Sequence, residues 1–120
     1  MAHQPFRRAQ RLLKAPEFAN VFDHQPAKSA DRFWTILALA NGVGRVRLGL
    51  VITKKRARRA VDRNRLKRLI RESFRLHCHL FQGVDFLVMA RQDAILADNH
   101  TLRQSLDRRW QHLLKHFSAT

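Results

Sequence analysis

The stretch RVRLGLVITKKRARRAVDRNRLKRLIRESFR, Arg45–Arg75, changes its hydrophobic period part-way along, and that change sets the architecture. In its first third Val46, Leu48, Leu50 and Ile52 alternate, so they share one side of a strand expected over Arg45–Thr53. Beyond the lysines the period becomes helical. At about 100° per residue, Leu66, Leu69, Ile70 and Phe74 fall on one side of a helix expected over Arg58–Leu80. The opposite side collects Asn64, Lys67, Arg68, Arg71 and Arg75, with Arg63 and Arg65 at its two edges. Lys54, Lys55, Arg56, Arg58 and Arg59 carry the same charge through the connecting loop. A strand leading into a helix with one apolar face predicts a sheet for that face to cover.

Working outward, Phe33–Ala40 (FWTILALA) reads as a preceding strand, and Asn41-Gly42-Val43-Gly44 has the residues of a hairpin turn. Gly83 ends the link from the basic helix into a third strand, Asp85–Ala90. A last helix is expected from about Asn99 to Phe117, with Leu102, Leu106, Leu113 and Phe117 on its core side and Trp110 beside them. Near the start, Pro16 suits a first helical position and Glu17 the positive end of the helix dipole. Phe18, Val21 and Phe22 then give that short helix an aromatic face. The expected order is α-β-β-α-β-α, an α+β fold with a small three-stranded sheet covered by helices. Its 120 residues suit a single domain, with residues 1–12 an extended basic arm.

Charge narrows the function. There are 24 Lys and Arg against 9 Asp and Glu, a net charge of +15. A compact domain with that excess repels itself, a cost that binding a polyanion offsets. A merely solvated helix interleaves acids four residues from its bases, yet in Lys54–Arg75 only Asp62 and Glu72 are acidic. Arg68 and Glu72 can form one such pair, which leaves most of the charge uncompensated. Arginine offers planar paired donors to phosphate, and Asn64 can read a base edge or a 2′-hydroxyl. No apolar run approaches the ~18–20 residues of a spanning helix, and the N-terminus lacks the pattern of a secretory signal. Cys78 is the one cysteine, which suits a reducing cytoplasm.

An enzyme acting through its own side chains is not what the sequence predicts. The nine acids are dispersed, without a metal-ligand spacing inside one element. His77-Cys78-His79 has no second ligand cluster, and His112 and His116 lack the glutamate of a zinc helix. These four read as surface histidines, and Asp93 and Asp98 as structural or capping residues of a loop. No catalytic residue, protein-held metal or organic cofactor is expected.

Arg63–Arg75 (RNRLKRLIRESFR) resembles the Arg-Asn-Arg helix of the bacterial ribonuclease P protein subunit. Three further motifs agree in order: Phe18-Ala19-Asn20-Val21-Phe22, Leu48–Lys55 (LGLVITKK) and Asp85–Arg91 (DFLVMAR). Together they span the chain from about Arg11 to Phe117. The resemblance implies an RNA subunit that removes 5′ leaders from precursor tRNA with Mg2+ bound mainly by RNA, and one protein per RNA. It implies that Arg63, Asn64, Arg65, Lys67, Arg68 and Arg71 face the catalytic RNA, with Arg75 on the same stripe. The Arg-rich loop, Arg56, Arg58 and Arg59, enlarges that contact. It further implies that Phe18, Phe22, Lys54, Lys55 and Arg91 take the single-stranded leader in a cleft between the first helix and the sheet. The family fold carries a left-handed β-α-β crossover, shared with the second domain of a small-subunit ribosomal protein. No sequence period could show that, since about 98% of such crossovers are right-handed. The competing reading is a basic ribosomal or nucleic-acid-associated structural protein, which has no use for an aromatic cleft.

Overall fold

The computed structural model describes residues Ala15–Ser118, so the arm expected over residues 1–12 lies outside the described residues. The elements run α1 (Ala15–Asp23), β1 (Ala27–Ala30), β2 (Trp34–Ala40), β3 (Arg47–Val51), α2 (Ala60–His77), β4 (Val84–Ala90) and α3 (Asn99–Ser118). Short 3-10 turns at Cys78–Leu80 and Gln92–Leu96 flank β4. The α+β class and the expected helices stand, but the sheet has four strands, in the order β1-β2-β4-β3.

The added strand is Ala27–Ala30 (AKSA), which lacks the aromatic and β-branched residues that mark a strand. Gln25, in the left-handed region at φ 50, closes α1 and turns the chain into it. Tertiary contacts then hold β1 in place. It pairs antiparallel with β2, and Arg109 of α3 donates to the Ala30 carbonyl at 2.9 Å. Asp31 caps the β1–β2 turn, accepting from the amides of Phe33 at 2.9 Å and Trp34 at 3.0 Å and from the Ser105 hydroxyl. Burial works to raise the Asp31 pKa. The Ser105 hydroxyl, the two amides and the charge of Arg109 outweigh it and hold the carboxyl below its ordinary value.

The Asn41–Gly44 segment has the expected turn chemistry, with Gly42 and Gly44 at positive φ and the Asn41 side chain accepting from the Val43 amide. It does not form a hairpin. β4 lies between the two strands it joins, antiparallel to β2 and parallel to β3. A parallel neighbour needs a long crossover, and α2 supplies it.

Sheet alternation sorts the side chains into two layers. Trp34, Ile36, Leu48, Phe86 and Val88 face α2 and α3, where Leu66, Leu69, Ile70, Phe74, Leu102, Leu106 and Trp110 complete the main core. The Phe86 ring packs edge-on against Phe81 and Trp110, and Trp110 donates to the Ser73 hydroxyl at 2.7 Å. On the other face Val21 and Phe18 of α1 cover Leu37 and Leu87.

Gly49 makes that second contact possible. A Cβ there would lie 2.6 Å from both Phe18 Cε1 and Leu87 Cδ2. Gly49→Ala is therefore expected to push the Phe18 ring off the sheet and cost about 1–3 kcal/mol through overpacking. Urea unfolding measures the loss; a stability equal to that of the unaltered protein would show that α1 does not depend on this close approach.

Candidate nucleic-acid interface

The basic helix buries Leu66, Leu69, Ile70 and Phe74, as its period requires, and turns Asn64, Arg68 and Arg71 outward. Lys67 and Arg75 sit half-buried at the edge of this stripe. The side chains of Asn64, Lys67, Arg68 and Arg71 make no hydrogen bond or ion pair among the described residues. The anticipated Arg68–Glu72 pair does not form. Glu72 instead lies 3.9 Å from Arg103 of α3. A pair with the cation on the N-terminal side is the weaker helical orientation, and the neighbouring helix offers an alternative.

Arg63 and Arg65, which flank Asn64, are partly committed to the fold. Arg63 donates to the carbonyls of Ala57 and Arg58, both at 2.9 Å, and so fixes the loop that enters α2. Arg65 crosses to the segment before α3, donating to Ile95 O at 2.8 Å, Ala97 O at 3.3 Å and Asn99 Oδ1 at 2.7 Å. Each guanidinium carries five N–H donors, so both retain donors for an outside anion while being held in position.

A second surface lies across the α1 side of the sheet. The pairing register sets Lys28, Leu37, Leu87 and Gly49 in one row beneath α1, and Ala30, Thr35, Met89 and Val51 in the next. The second row opens into a cleft of about 450 Å3 lined by Lys28, Thr35, Val51, Thr53, Arg56, Met89, Ala90 and Arg91. A neighbouring hollow of about 260 Å3 shares Arg56 and Arg91 and adds Arg32, Gln92 and Asp93. Arg91 is anchored here by a 2.9 Å bond to the Asp31 carbonyl.

Of the residues expected at this cleft, Arg91 lines it and Phe18 packs partly buried at the α1 edge. Phe22 is 50% exposed, and Lys54 and Lys55 stand exposed in the loop leaving β3. Arg56, expected with the helix stripe, belongs to the cleft wall, while Arg58 and Arg59 stay exposed at the entry to α2. The sequence reading missed Lys28, Thr35, Thr53 and Met89. Lys28 sits on the strand that carries no strand signal. Thr35 and Met89 had one: each occupies an alternate position next to a core residue, so it must point to the opposite face.

The remaining candidates serve the fold. Asp98 accepts from the Thr101 amide at 2.7 Å, capping α3, and this bond lowers its pKa. Asp93 lies 3.4 Å from Arg32. His77 is not a surface histidine: it bonds the Ser73 carbonyl at 2.8 Å and stacks on Trp110. His112 is exposed, as are His79 and His116, and it also pairs with the buried Ser29 hydroxyl at 2.9 Å.

A sequence model of the family described as Ribonuclease P matches residues 6–114. This chain belongs to the ribonuclease P protein family. It is 47% identical over 115 residues to the ribonuclease P protein component of Chromohalobacter salexigens, covering 96% of this chain and 90% of that one. It is 43% identical over 120 residues to that of Pseudomonas aeruginosa, covering all of this chain and 89% of the relative. Among solved structures, the Staphylococcus aureus RNase P protein superposes with a TM-score of 0.80 at 29% identity, over 88% of this chain and 96% of that one. The RNase P protein of Thermotoga maritima superposes at 0.67 with 27% identity, over 95% and 96%. In this ribonuclease P family member the Arg-Asn-Arg motif opens the exposed stripe of α2, and the lysine pair follows β3. Among the described residues no helix is long and apolar enough to cross a membrane.

Proposed function

We propose that this chain is the RNA-binding protein subunit of a cytoplasmic ribonuclease P. It holds the ribonuclease P RNA on the α2 stripe and the single-stranded 5′ leader of precursor tRNA in the cleft. The RNA subunit performs the endonucleolytic cut. The observation that carries this reading is the continuity of the two surfaces. The loop from Thr53 to Arg59 places Arg56 on the cleft wall and Arg58 and Arg59 at the entry to α2. Catalytic RNA and substrate leader therefore meet one unbroken run of cations.

Each surface suits its ligand. Single strands are held by stacking surfaces and by cations tracking the backbone, with little dependence on sequence. The cleft offers Met89 and Val51 as soft surface, with Lys28, Arg56 and Arg91 for phosphates. α2 offers a straight cationic stripe for a folded RNA backbone. Those same cations repel a divalent metal, which fits Mg2+ held mainly by RNA and substrate. The carboxylates with the closest partners, Glu17, Asp31 and Asp85, are engaged in holding the fold.

The assignment is tested by cleaving a labelled precursor tRNA at low Mg2+ with a bacterial ribonuclease P RNA. Cleavage is expected with RNA and protein together and with neither alone, at one protein per RNA. Tight RNA binding that never rescues cleavage would overturn it in favour of a structural nucleic-acid-associated protein. The cleft has its own test. A slope of ~0.7 per phosphate on a single strand makes each lost phosphate contact worth roughly fourfold at physiological salt. Lys28→Ala with Arg56→Ala should then weaken precursor tRNA binding by the holoenzyme about 15-fold and change mature tRNA binding less than twofold. Equal losses for the two substrates would remove the leader from the cleft.

A further inference from the structure

The last two residues of β1 and the one after it bond in order to one face of α3. The Ser29 hydroxyl lies 2.9 Å from His112 Nδ1, and the Ala30 carbonyl accepts from Arg109 Nη1 at 2.9 Å. The Asp31 carboxylate accepts from the Ser105 hydroxyl. Ser105, Arg109 and His112 stand at i, i+4 and i+7, so at about 100° per residue they form one stripe of the helix. Ser29 and Ser105 are both buried. None of the three α3 residues lines the cleft, yet what they hold reaches it. Lys28 and Ser29 alternate along β1, so pinning Ser29 to α3 turns Lys28 to the opposite face, where it lines the cleft. Asp31 builds the turn that follows. Its carboxylate also accepts from the Phe33 and Trp34 amides, and its own amide donates to Trp34 O at 3.0 Å. Its carbonyl accepts from Arg91 Nη1 at 2.9 Å, while the Arg91 amide donates to Phe33 O at 2.8 Å. Arg91 is therefore held by a turn whose own position is set from α3.

We infer that Ser105, Arg109 and His112 are positioning residues for the single-stranded substrate. Ser105 and Arg109 act through the turn on Arg91, and His112 acts through Ser29 on Lys28. This inference rests on the reading of the cleft as the leader site. The physical ground is preorganisation. Lys and Arg have long, rotamer-rich side chains, and ordering one only when the ligand arrives lowers affinity by about 2- to 12-fold. A cation already fixed in place avoids that loss. A strand of four residues with the sequence AKSA has little of its own to fix it, and the three bonds to α3 supply what it lacks. Discrimination between a substrate with a leader and one without it then depends in part on residues that never touch RNA in the cleft.

The test is a double-mutant cycle in the holoenzyme reassembled with ribonuclease P RNA, reading cleavage of precursor tRNA and binding of mature tRNA. Arg91→Ala should raise the KM for precursor tRNA roughly fourfold, the worth of one single-strand phosphate contact. Ser105→Ala should raise it about threefold, with kcat and mature tRNA binding unchanged. In the Arg91→Ala background Ser105→Ala should add less than about 1.5-fold, because the side chain it positions is gone. His112→Ala, at an exposed position that leaves the core intact, repeats the cycle against Lys28→Ala with the same pattern. Asp31→Asn keeps an acceptor for the two amides and can donate to the Ser105 oxygen, so it should match the unaltered protein where Asp31→Ala does not. If the Ser105→Ala and Arg91→Ala effects multiply in full, or Ser105→Ala weakens mature tRNA binding equally, the helix residues act on stability alone and the inference is overturned. If Arg91→Ala weakens precursor binding while Ser105→Ala and His112→Ala leave it unchanged, the positioning falls and the leader cleft stands. If neither Arg91→Ala nor Lys28→Ala affects precursor binding, both fall together.

Discussion

Asp85→Ala should destabilise the domain by about 3–5 kcal/mol, the range for removing one partner of a buried ion pair. Asp85 stands on the central strand β4 with its side chain 1% exposed. It accepts from Arg47 Nε at 2.7 Å, Arg47 Nη2 at 2.8 Å and Asn41 Nδ2 at 2.7 Å. Arg47, only 20% exposed, spends its remaining arm on Glu17 of α1 at 2.6 Å. The Asp85 bonds are the main reason the Arg47 pKa is raised, with the charges of Asp85 and Glu17 adding to them against burial. Without Asp85 the guanidinium is left in the sheet with Glu17 as its one carboxylate, and Asn41 loses its hold on β4. Urea unfolding reads the loss directly, with Glu17→Gln as a comparison expected to cost about 1 kcal/mol or less because that pair is partly solvated. A loss below about 1 kcal/mol for Asp85→Ala would mean that the ion pair is replaceable and that apolar packing alone fixes the sheet. Because Glu17 ties α1 to the same arginine, the variant should also loosen α1 on the sheet.

The second large effect is on affinity. Replacing Lys67, Arg68 and Arg71 together with alanine should weaken binding to ribonuclease P RNA on the order of a hundredfold at physiological salt, and should flatten the salt slope by about three. None of the three makes a hydrogen bond or ion pair among the described residues, so their removal should leave the unfolding midpoint nearly unchanged. Filter binding over a salt series separates the outcomes. A hundredfold loss with an unchanged slope would mean that the side chains do not meet phosphates. A slope flattened by three would confirm that the stripe, and not the cleft, carries this part of the contact. Arg63 and Arg65 make poor substitutes in this test, because removing either frees a loop as well as a charge.

That difference between neighbouring arginines marks where the sequence stops informing. Periodicity along α2 determined which side is apolar and which is cationic, since that depends only on helix geometry. The same held for α3, whose 3.6-residue repeat is strong enough to place Leu102, Leu106 and Leu113 in the core without knowing their neighbours, whereas β2 and β4 are legible as strands only from their apolar content. Net charge and the uncompensated bases of Lys54–Arg75 likewise pointed to a polyanion from composition alone, and the resemblance carried by the Arg-Asn-Arg stretch made that polyanion RNA.

Pairing across the chain was not legible in the same way. Ala27–Ala30 becomes a strand because β2 and Arg109 receive it, and nothing within those four residues says so. Asn41–Gly44 has the chemistry of a hairpin, yet Val84–Ala90, from some forty residues later, takes the place between the two strands it joins. The cleft exists only after that insertion, because Lys28, Thr35, Val51 and Met89 line it from four different strands and Arg56 and Arg91 join them from the segments after β3 and β4. The sequence by itself determined the faces of each element and the kind of partner they suit. Tertiary structure alone decided which elements became neighbours, and with that which arginines are spent on the fold and which are left for RNA. The physical reason is that a helix face or a strand's alternation is fixed by local backbone geometry. A sheet order is fixed by hydrogen bonds and packing between segments whose separation in sequence carries no periodic trace.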